Sequence, residues 1–133
     1  MKRDRILITD DTPASLSLLA DILEPRGYEV LTASNGKDAL QIAARAIPDL
    51  VLLDVMMPGH DGFSVCRMLK QEDATRDIPV IFITSRNETE SLVNGFRVGA
   101  VDYIVKPYHQ EEVLSRVATH LKISRLTHEL QQR

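Results

Sequence analysis

The 133-residue chain contains no tryptophan, a single cysteine and few aromatic residues. Because Cys66 has no second cysteine to pair with, an internal disulfide is excluded, which is typical of a reducing compartment. The apolar run after the basic amino terminus is only Ile6–Ile8, too short for a secretory signal, and no other run could span a membrane. We therefore expect a cytoplasmic protein that makes no membrane contact.

The chain also lacks an excess of positive charge. Its net charge of −3 and pI of about 5.8 argue against direct binding to nucleic acid or to an anionic membrane. The length corresponds to one domain, and a hydrophobic content of 44% is enough for a core without disulfides. These properties predict one globular domain with its own hydrophobic core rather than a small protein held together by disulfides.

Short apolar runs alternate with amphipathic segments along the whole chain. The predicted strands are Ile6–Thr9, Tyr28–Ala33, Asp49–Asp54, Pro79–Thr84 and Val101–Val105. The predicted helices run from Pro13 until Pro25, Lys37–Ala46, Gly62–Glu72, Thr89–Val98 and from near Gln110 into an extended carboxyl-terminal helix. Five strands alternating with five helices predict a doubly wound, five-stranded parallel sheet in an α/β fold.

Polar side chains follow four of these strands at the point where each one ends. Asp10 and Asp11 follow the first strand, and Asp54 closes the third. Thr84 closes the fourth, and Lys106 follows the fifth. Since the carboxyl ends of parallel strands share one edge, we expect three carboxylates, a hydroxyl and an ammonium to cluster there.

Such a cluster favours phosphoryl chemistry. Carboxylates close together repel and need a cation, and an oxygen-only donor set favours a hard ion such as Mg²⁺ or Mn²⁺. A carboxylate beside that ion can act as a nucleophile on phosphorus. Each residue also has a purely structural interpretation, since Asp10 or Asp11 could cap a helix, Lys106 could form an ion pair and Thr84 could be an ordinary strand residue.

The order and spacing of these residues resemble the receiver domain of two-component response regulators. Thr84 lies thirty positions after Asp54, and Lys106 lies fifty-two after it. The matching motifs are Asp10-Asp11, Asp54 with Met57-Pro58 and Asp61-Gly62, Thr84-Ser85 and Lys106-Pro107. The resemblance covers about residues 4 to 122 and implies the sheet order 2-1-3-4-5.

The resemblance also implies a role for each residue. Asp54 is the expected phosphoacceptor, and the phosphoryl group is expected to come from a histidine kinase or a histidine phosphotransfer protein. The Mg²⁺ ligands are expected to be Asp10, Asp11, Asp54 and the main-chain carbonyl of Met56. Lys106 and Thr84 are expected to contact the phosphoryl group. The domain is then a signalling switch that catalyses only its own phosphorylation and dephosphorylation.

Two further sets of residues are expected to control signalling in such a domain. Thr84 and Tyr103 form the expected switch pair, and they act on a surface made by the fourth predicted helix, the fifth strand and the fifth predicted helix. Met56 and Arg86 flank the expected route of attacking water. Because Met56 cannot orient water, we expect a phosphorylated state that is not unusually short-lived.

The chain after the receiver region predicts a helical extension. We assign residues 1–122 to the receiver and 123–133 to this extension. Ile123, Leu126 and Leu130 have the spacing of a short coiled-coil seam. This favours a homodimer contact or a connection to an output domain, although a frayed amphipathic tail is the simpler alternative. A homodimer through the switch surface is a further possibility.

Other functions remain open at this stage. A Mg²⁺-dependent phosphohydrolase would use Asp54 as nucleophile, but the position two residues on, where such enzymes carry an acid, is Met56. A flavin-binding domain would need a phosphate-binding loop after the first strand, where Asp10 and Asp11 stand instead. A scaffold receiver would act without phosphorylation. His120 and His128 are expected to be surface residues of the last helix.

Overall fold

The structure of the chain is a computed structural model, and it describes residues 3–57, 59, 61–85, 93 and 96–131. The strands are β1 (Arg5–Thr9), β2 (Glu29–Ala33), β3 (Leu50–Asp54), β4 (Val80–Thr84) and β5 (Asp102–Val105). The helices are α1 (Pro13–Leu23), α2 (Gly36–Ala46), α3 (Gly62–Gln71) and α4 (Gln110–Gln131), with a 3-10 turn at Glu24–Arg26. Every predicted strand is present with bounds that agree within a residue or two.

All five strands belong to one parallel sheet in the order β2-β1-β3-β4-β5. The predicted sheet order is therefore confirmed. Central β3 pairs with β1 on one side and with β4 on the other, and Asp54 is aligned with Ile83. Since all the strands are parallel, their carboxyl ends meet at one edge of the sheet.

Alternate residues of the strands supply two separate cores, one on each face of the sheet. In β1, Leu7 belongs to the core covered by α2 and α3, whereas Ile6 and Ile8 belong to the core covered by α1 and α4. All five residues of β3 are buried, as expected for a central strand covered on both faces. This arrangement is the predicted doubly wound architecture.

Local signals fix where the helices begin and end. The side chains of Asn35 and Asp61 accept hydrogen bonds from the amides of Asp38 and Ser64 and so cap α2 and α3. At the start of α1 the side chain of the N-cap residue, Thr12, makes no capping bond. Instead, a carboxylate oxygen of Asp10 accepts the Thr12 amide at 2.9 Å.

The described residues contain four α-helices, whereas the sequence predicted five. The predicted helix at Thr89–Val98 lies largely outside the described residues. Within that stretch Val93, Phe96 and Arg97 are helical. The prediction of five helices is therefore corrected to four for the part of the chain that the structure describes.

The carboxyl-terminal helix α4 extends well past the sheet. Val113, Val117 and Leu121 are buried at a spacing of four residues against α1 and the sheet. Beyond them Ile123, Leu126 and Leu130 are exposed by 51%, 49% and 68%. The helix is continuous between the two stretches. Among the residues that the structure describes, no helix combines the length and hydropathy that a membrane span requires.

Candidate functional site

Asp54 is a buried carboxylate at the end of the central strand β3. Its side chain is only 6% exposed. One carboxylate oxygen accepts the amide of Met56 at 2.9 Å, and the other accepts Lys106 Nζ at 3.1 Å. The chain leaves β3 through a turn in which the Gly62 amide donates to the Val55 carbonyl at 2.9 Å. These bonds fix the carboxylate at the edge of the sheet.

Asp10 and Asp11 bring two more carboxylates to the same edge from β1. Asp10 is fully buried, whereas Asp11 is exposed. Oxygen atoms of Asp10, Asp11 and Asp54 all lie within 4.8 Å of one another. The predicted cluster of three carboxylates is therefore present, and its exposed side faces solvent through Asp11.

Lys106 enters the cluster from the end of β5. Its Nζ lies 3.3 Å from Asp10 Oδ2 and 3.1 Å from Asp54 Oδ2. Its main-chain amide donates to the Thr84 carbonyl at 2.9 Å, and the Lys106–Pro107 peptide bond is cis. The ammonium therefore bridges two carboxylates that are 44 positions apart in sequence.

Burial and neighbouring charges shift the pKa values of Asp54 and Lys106. Burial raises the pKa of Asp54, and the negative charge of Asp10 adds to this, against the opposing hydrogen bonds from Met56 and Lys106. For Lys106, burial lowers the pKa, but the hydrogen bond and charge of Asp54 outweigh burial and raise it overall. Lys106 is thus held in its charged form beside a carboxylate that is costly to ionise.

The donor set of the cluster fits a small divalent cation. Three ionised carboxylates and one ammonium leave a formal charge of −2, since −3 and +1 sum to that value. All the side-chain donors are oxygens, which hard ions prefer over softer transition metals. The buried position of Asp10 and Asp54 makes their repulsion expensive without a counter-ion. Asp10, Asp11 and Asp54 could therefore hold a metal ion.

Tyr108 belongs to the site, and the sequence prediction missed it. Its hydroxyl lies 3.5 Å from Asp10 Oδ2. Burial raises the pKa of Tyr108 to about 12, so the hydroxyl stays protonated. The available signal was weak: Tyr108 is an aromatic residue two positions after Lys106, and nothing in the pattern indicates which way its ring turns.

The two expected switch residues lie on neighbouring strands beside the cluster. Thr84 is buried at the end of β4, and its hydroxyl donates to the Ser85 carbonyl at 3.2 Å. Tyr103 is half-buried on β5, where it is aligned with Phe82. Its ring meets Phe96 edge to face, with the ring centroids 6.2 Å apart.

The remaining sequence predictions have mixed outcomes. Met56 is 65% exposed next to Asp54, and its amide is bonded to that carboxylate. Arg86 lies outside the described residues. His128 is exposed, but His120 is not the surface residue expected, because its side chain is only 14% exposed and its Nε2 lies 2.9 Å from Asp102 Oδ2. His120 is largely buried because it lies beside the buried stripe of α4, opposite an acid on β5.

Comparisons with known proteins agree with this geometry. The family model for the response regulator receiver domain matches residues 6–118. Response regulator PleD of Caulobacter vibrioides is 44% identical over 129 residues, which cover 97% of this chain and 28% of PleD. Protein PilH of Pseudomonas aeruginosa is 42% identical over 113 residues, which cover 85% of this chain and 93% of PilH.

Another relative and a solved structure extend the comparison. The DNA-binding dual master transcriptional regulator RpaA of Synechocystis is 42% identical over 118 residues, or 89% of this chain and 49% of RpaA. A response regulator of Chloroflexus aurantiacus superposes with a TM-score of 0.88 at 34% identity, covering 91% of this chain and 99% of that one. The chain thus spans less than half the length of PleD and RpaA. It belongs to the response regulator receiver domain family of two-component signal transduction.

Proposed function

We propose that Asp54 is the residue that accepts a phosphoryl group from a sensor histidine kinase or a histidine phosphotransfer protein. The observation that carries this proposal is the bond from Lys106 Nζ to Asp54 Oδ2 at 3.1 Å in a buried cluster of acids. In the reaction a carboxylate oxygen of Asp54 forms a bond to phosphorus while the bond from phosphorus to the donor nitrogen breaks. The nitrogen keeps the electron pair of that bond.

The residues around Asp54 supply charge and position rather than further covalent chemistry. Asp10, Asp11, Asp54 and the Met56 carbonyl would hold Mg²⁺, with Mn²⁺ as a substitute, and this ion would neutralise the phosphoryl oxygens. Lys106 adds one positive charge where negative charge accumulates, and the Thr84 hydroxyl donates a hydrogen bond to a phosphoryl oxygen. The same residues support self-phosphorylation from a small donor and self-dephosphorylation, and no turnover of other substrates.

Thr84 and Tyr103 connect this chemistry to the surface. As the Thr84 hydroxyl turns toward the phosphoryl group, it vacates space that the Tyr103 ring enters. The affected surface consists of β5, the adjoining face of α4 and the segment before β5 that includes Phe96. This proposal rests on the position of the two residues on neighbouring strands beside the acid cluster.

The partners follow from the same surface and from the extension of α4. Residues 1–122 would be the receiver, and 123–133 would form a helical connection to a second copy or to an output domain. The exposed Ile123, Leu126 and Leu130 support this, and so does the length of PleD and RpaA relative to this chain. The net charge of −3 favours a role without direct DNA contact. A cytoplasmic location stays a prediction.

Intact-mass spectrometry after incubation with acetyl phosphate and Mg²⁺ tests the proposal. We expect the chain to gain the mass of one phosphoryl group, and Asp54→Asn to gain none. Asp11→Asn retains the acceptor but should need far more Mg²⁺ for the same occupancy. Steady phosphate release from varied monoesters would instead support a phosphohydrolase. An unmodified mass at every Mg²⁺ concentration would support a scaffold receiver.

Met56 and Arg86 are the proposed determinants of the phosphoryl lifetime. The exposed Met56 side chain has no group that can orient an attacking water. Substituting Met56→Asn should therefore speed the loss of the phosphoryl group, and Arg86→Ala should change it as well. If neither substitution alters the rate of mass loss after donor removal, this role of the two positions is wrong.

A further inference from the structure

Asp102 is the centre of a hydrogen-bonded network at the amino-terminal end of β5, the end away from the acid cluster. Its carboxylate accepts Arg116 Nη1 at 2.7 Å and the Tyr103 amide at 2.8 Å. His120 Nε2 lies 2.9 Å from its second oxygen. The side chains of Asp102 and His120 are only 16% and 14% exposed, so their geometry is fixed by packing as well as by charge.

The network ends on the ring of Tyr103. The Arg116 guanidinium carbon lies 5.8 Å from the centroid of that ring, within the range of a cation–π contact. Arg116 Nε is buried without an acceptor among the described residues, so this nitrogen faces the protein, whereas the side chain as a whole is 36% exposed. Phe96 meets the same ring at an interplanar angle of 77°. The half-buried Tyr103 ring, on the edge strand of the sheet, is therefore in contact with two side chains, Arg116 and Phe96.

We infer that Arg116 and His120 are positioning residues that hold the Tyr103 ring against Arg116 and Phe96, which we call the outer position, and so oppose the phosphorylated state. Arg116 acts on the ring directly, and His120 acts through Asp102 by fixing the carboxylate to which Arg116 is bonded. The inference rests on the proposed role of Tyr103 as the switch residue. An inward ring would leave the contacts with Arg116 and Phe96, so those contacts stabilise one side of the two-state equilibrium.

The size of the effect follows from the strength of a surface cation–π contact. Losing the contact removes about 0.5–1 kcal/mol from the outer state, which changes the equilibrium about twofold to fivefold. When the binding-competent state is a minor one, the apparent dissociation constant of a ligand falls by the same factor. Removing Arg116 should therefore strengthen the binding of a phosphoryl analogue about twofold to fivefold.

Beryllofluoride titration in the presence of Mg²⁺ measures this affinity, and NMR signals of the Tyr103 ring report its position. Arg116→Ala is the direct variant. Arg116→Gln keeps a planar donor for Asp102 but removes the charge above the ring, so it should behave like the alanine variant. Arg125→Ala is the matched control, because Arg125 is on the same helix and pairs with Asp4 at 3.0 Å. It should bind beryllofluoride like the unmodified chain.

His120 is tested by a double-mutant comparison. His120→Ala should strengthen beryllofluoride binding in the unmodified chain and should have no further effect when Arg116→Ala is already present, because its influence passes through Arg116. A role in stability alone would lower the thermal midpoint in both backgrounds and leave the Tyr103 ring signals unchanged. That result would overturn the assignment of His120.

The outcomes separate this inference from the proposed function. If the unmodified chain binds no beryllofluoride, the proposed phosphoacceptor site fails. If it binds beryllofluoride without moving the Tyr103 signals, the proposed switch role of Tyr103 fails. If it binds and the Tyr103 signals move, but Arg116→Ala and Arg116→Gln both leave the affinity within the range of Arg125→Ala, the positioning role is wrong. The expected result is a twofold to fivefold gain in beryllofluoride affinity in both Arg116 variants. Their Tyr103 ring signals should also shift toward those of the unmodified chain bound to beryllofluoride.

Discussion

Gly62 has almost no room for a side chain, and substituting it should damage both the fold and the site. A β-carbon there would lie 2.4 Å from the Asp54 carbonyl oxygen and 2.9 Å from Val55 Cα. Relaxed contacts between carbon atoms begin at about 3.5 Å, so α3 and the end of β3 must separate by roughly an ångström. Both contacted atoms belong to the main chain and cannot rotate away.

The expected cost combines overpacking with a smaller opposing term. Forced overpacking costs about 1–3 kcal/mol, and more where the backbone must move. Alanine in place of glycine gains about 0.4–1 kcal/mol by restricting the unfolded chain. With an overpacking cost at the upper end of its range, Gly62→Ala should lower the free energy of unfolding by about 2 kcal/mol, or about thirtyfold in the ratio of folded to unfolded protein. Phosphorylation from acetyl phosphate should also slow, because the displaced main-chain atoms belong to Asp54 and to Val55, the residue after it.

Urea unfolding followed by circular dichroism measures this change. Gly27→Ala is the matched control, since Gly27 has φ +93° but no atom within 4 Å of an added β-carbon. It should lose only the cost of a left-handed backbone, about 1–2 kcal/mol, and keep its phosphorylation rate. If Gly62→Ala unfolds at the same urea concentration as the unmodified chain and is phosphorylated at the same rate, the close approach of α3 to Asp54 is refuted.

Three further predictions follow from the ionisable groups. Burial tends to raise the pKa of Asp102, but the hydrogen bonds from Arg116, His120 and the Tyr103 amide outweigh it and lower that pKa. A lowered folded-state pKa means stability that is present above the unfolded value near 3.8 and lost as pH falls through the folded value. Asp102→Asn should thus lower the free energy of unfolding by about 1–2 kcal/mol at neutral pH. The difference between the urea midpoints of the variant and the unmodified chain should disappear in acid. A difference of the same size at all pH values would contradict this. Mg²⁺ should raise the thermal midpoint, by the equivalent of about 2.7 kcal/mol at one hundred times its dissociation constant, and Asp11→Asn should lose most of that shift. Cys66 is fully buried with its pKa raised to about 11 by burial, so alkylation should be slow until urea unfolds the chain, and rapid native labelling would count against its position.

The sequence predicted the sheet and the acid cluster because both depend on simple regularities. The apolar runs mark buried parallel strands, and the acid, threonine or lysine at the end of four of these runs must lie at the shared carboxyl edge. Asp10, Asp54 and Lys106 therefore come together as expected. No contact between distant residues had to be guessed for that step, only the parallel direction of the strands.

The contacts that the sequence did not indicate depend on side-chain direction. Tyr108 and Asp10 are 98 positions apart, and their contact requires a particular turn of the chain after Pro107. Arg116 and His120 are one helical turn apart on α4, beside the buried stripe. That spacing could have indicated a shared partner, but only the register of β4 with β5 and the packing of α4 identify it as Asp102.

Trapping the phosphorylated residue chemically is the most direct test of the central claim that Asp54 is the phosphoacceptor. Borohydride reduces an acyl phosphate on aspartate to homoserine, and peptide mass spectrometry then locates the altered position. After treatment with acetyl phosphate and Mg²⁺, we predict homoserine at residue 54 and at no other acid of the cluster. Homoserine at Asp10 or Asp11, or no reduced residue in a chain that has gained phosphoryl mass, would contradict the account.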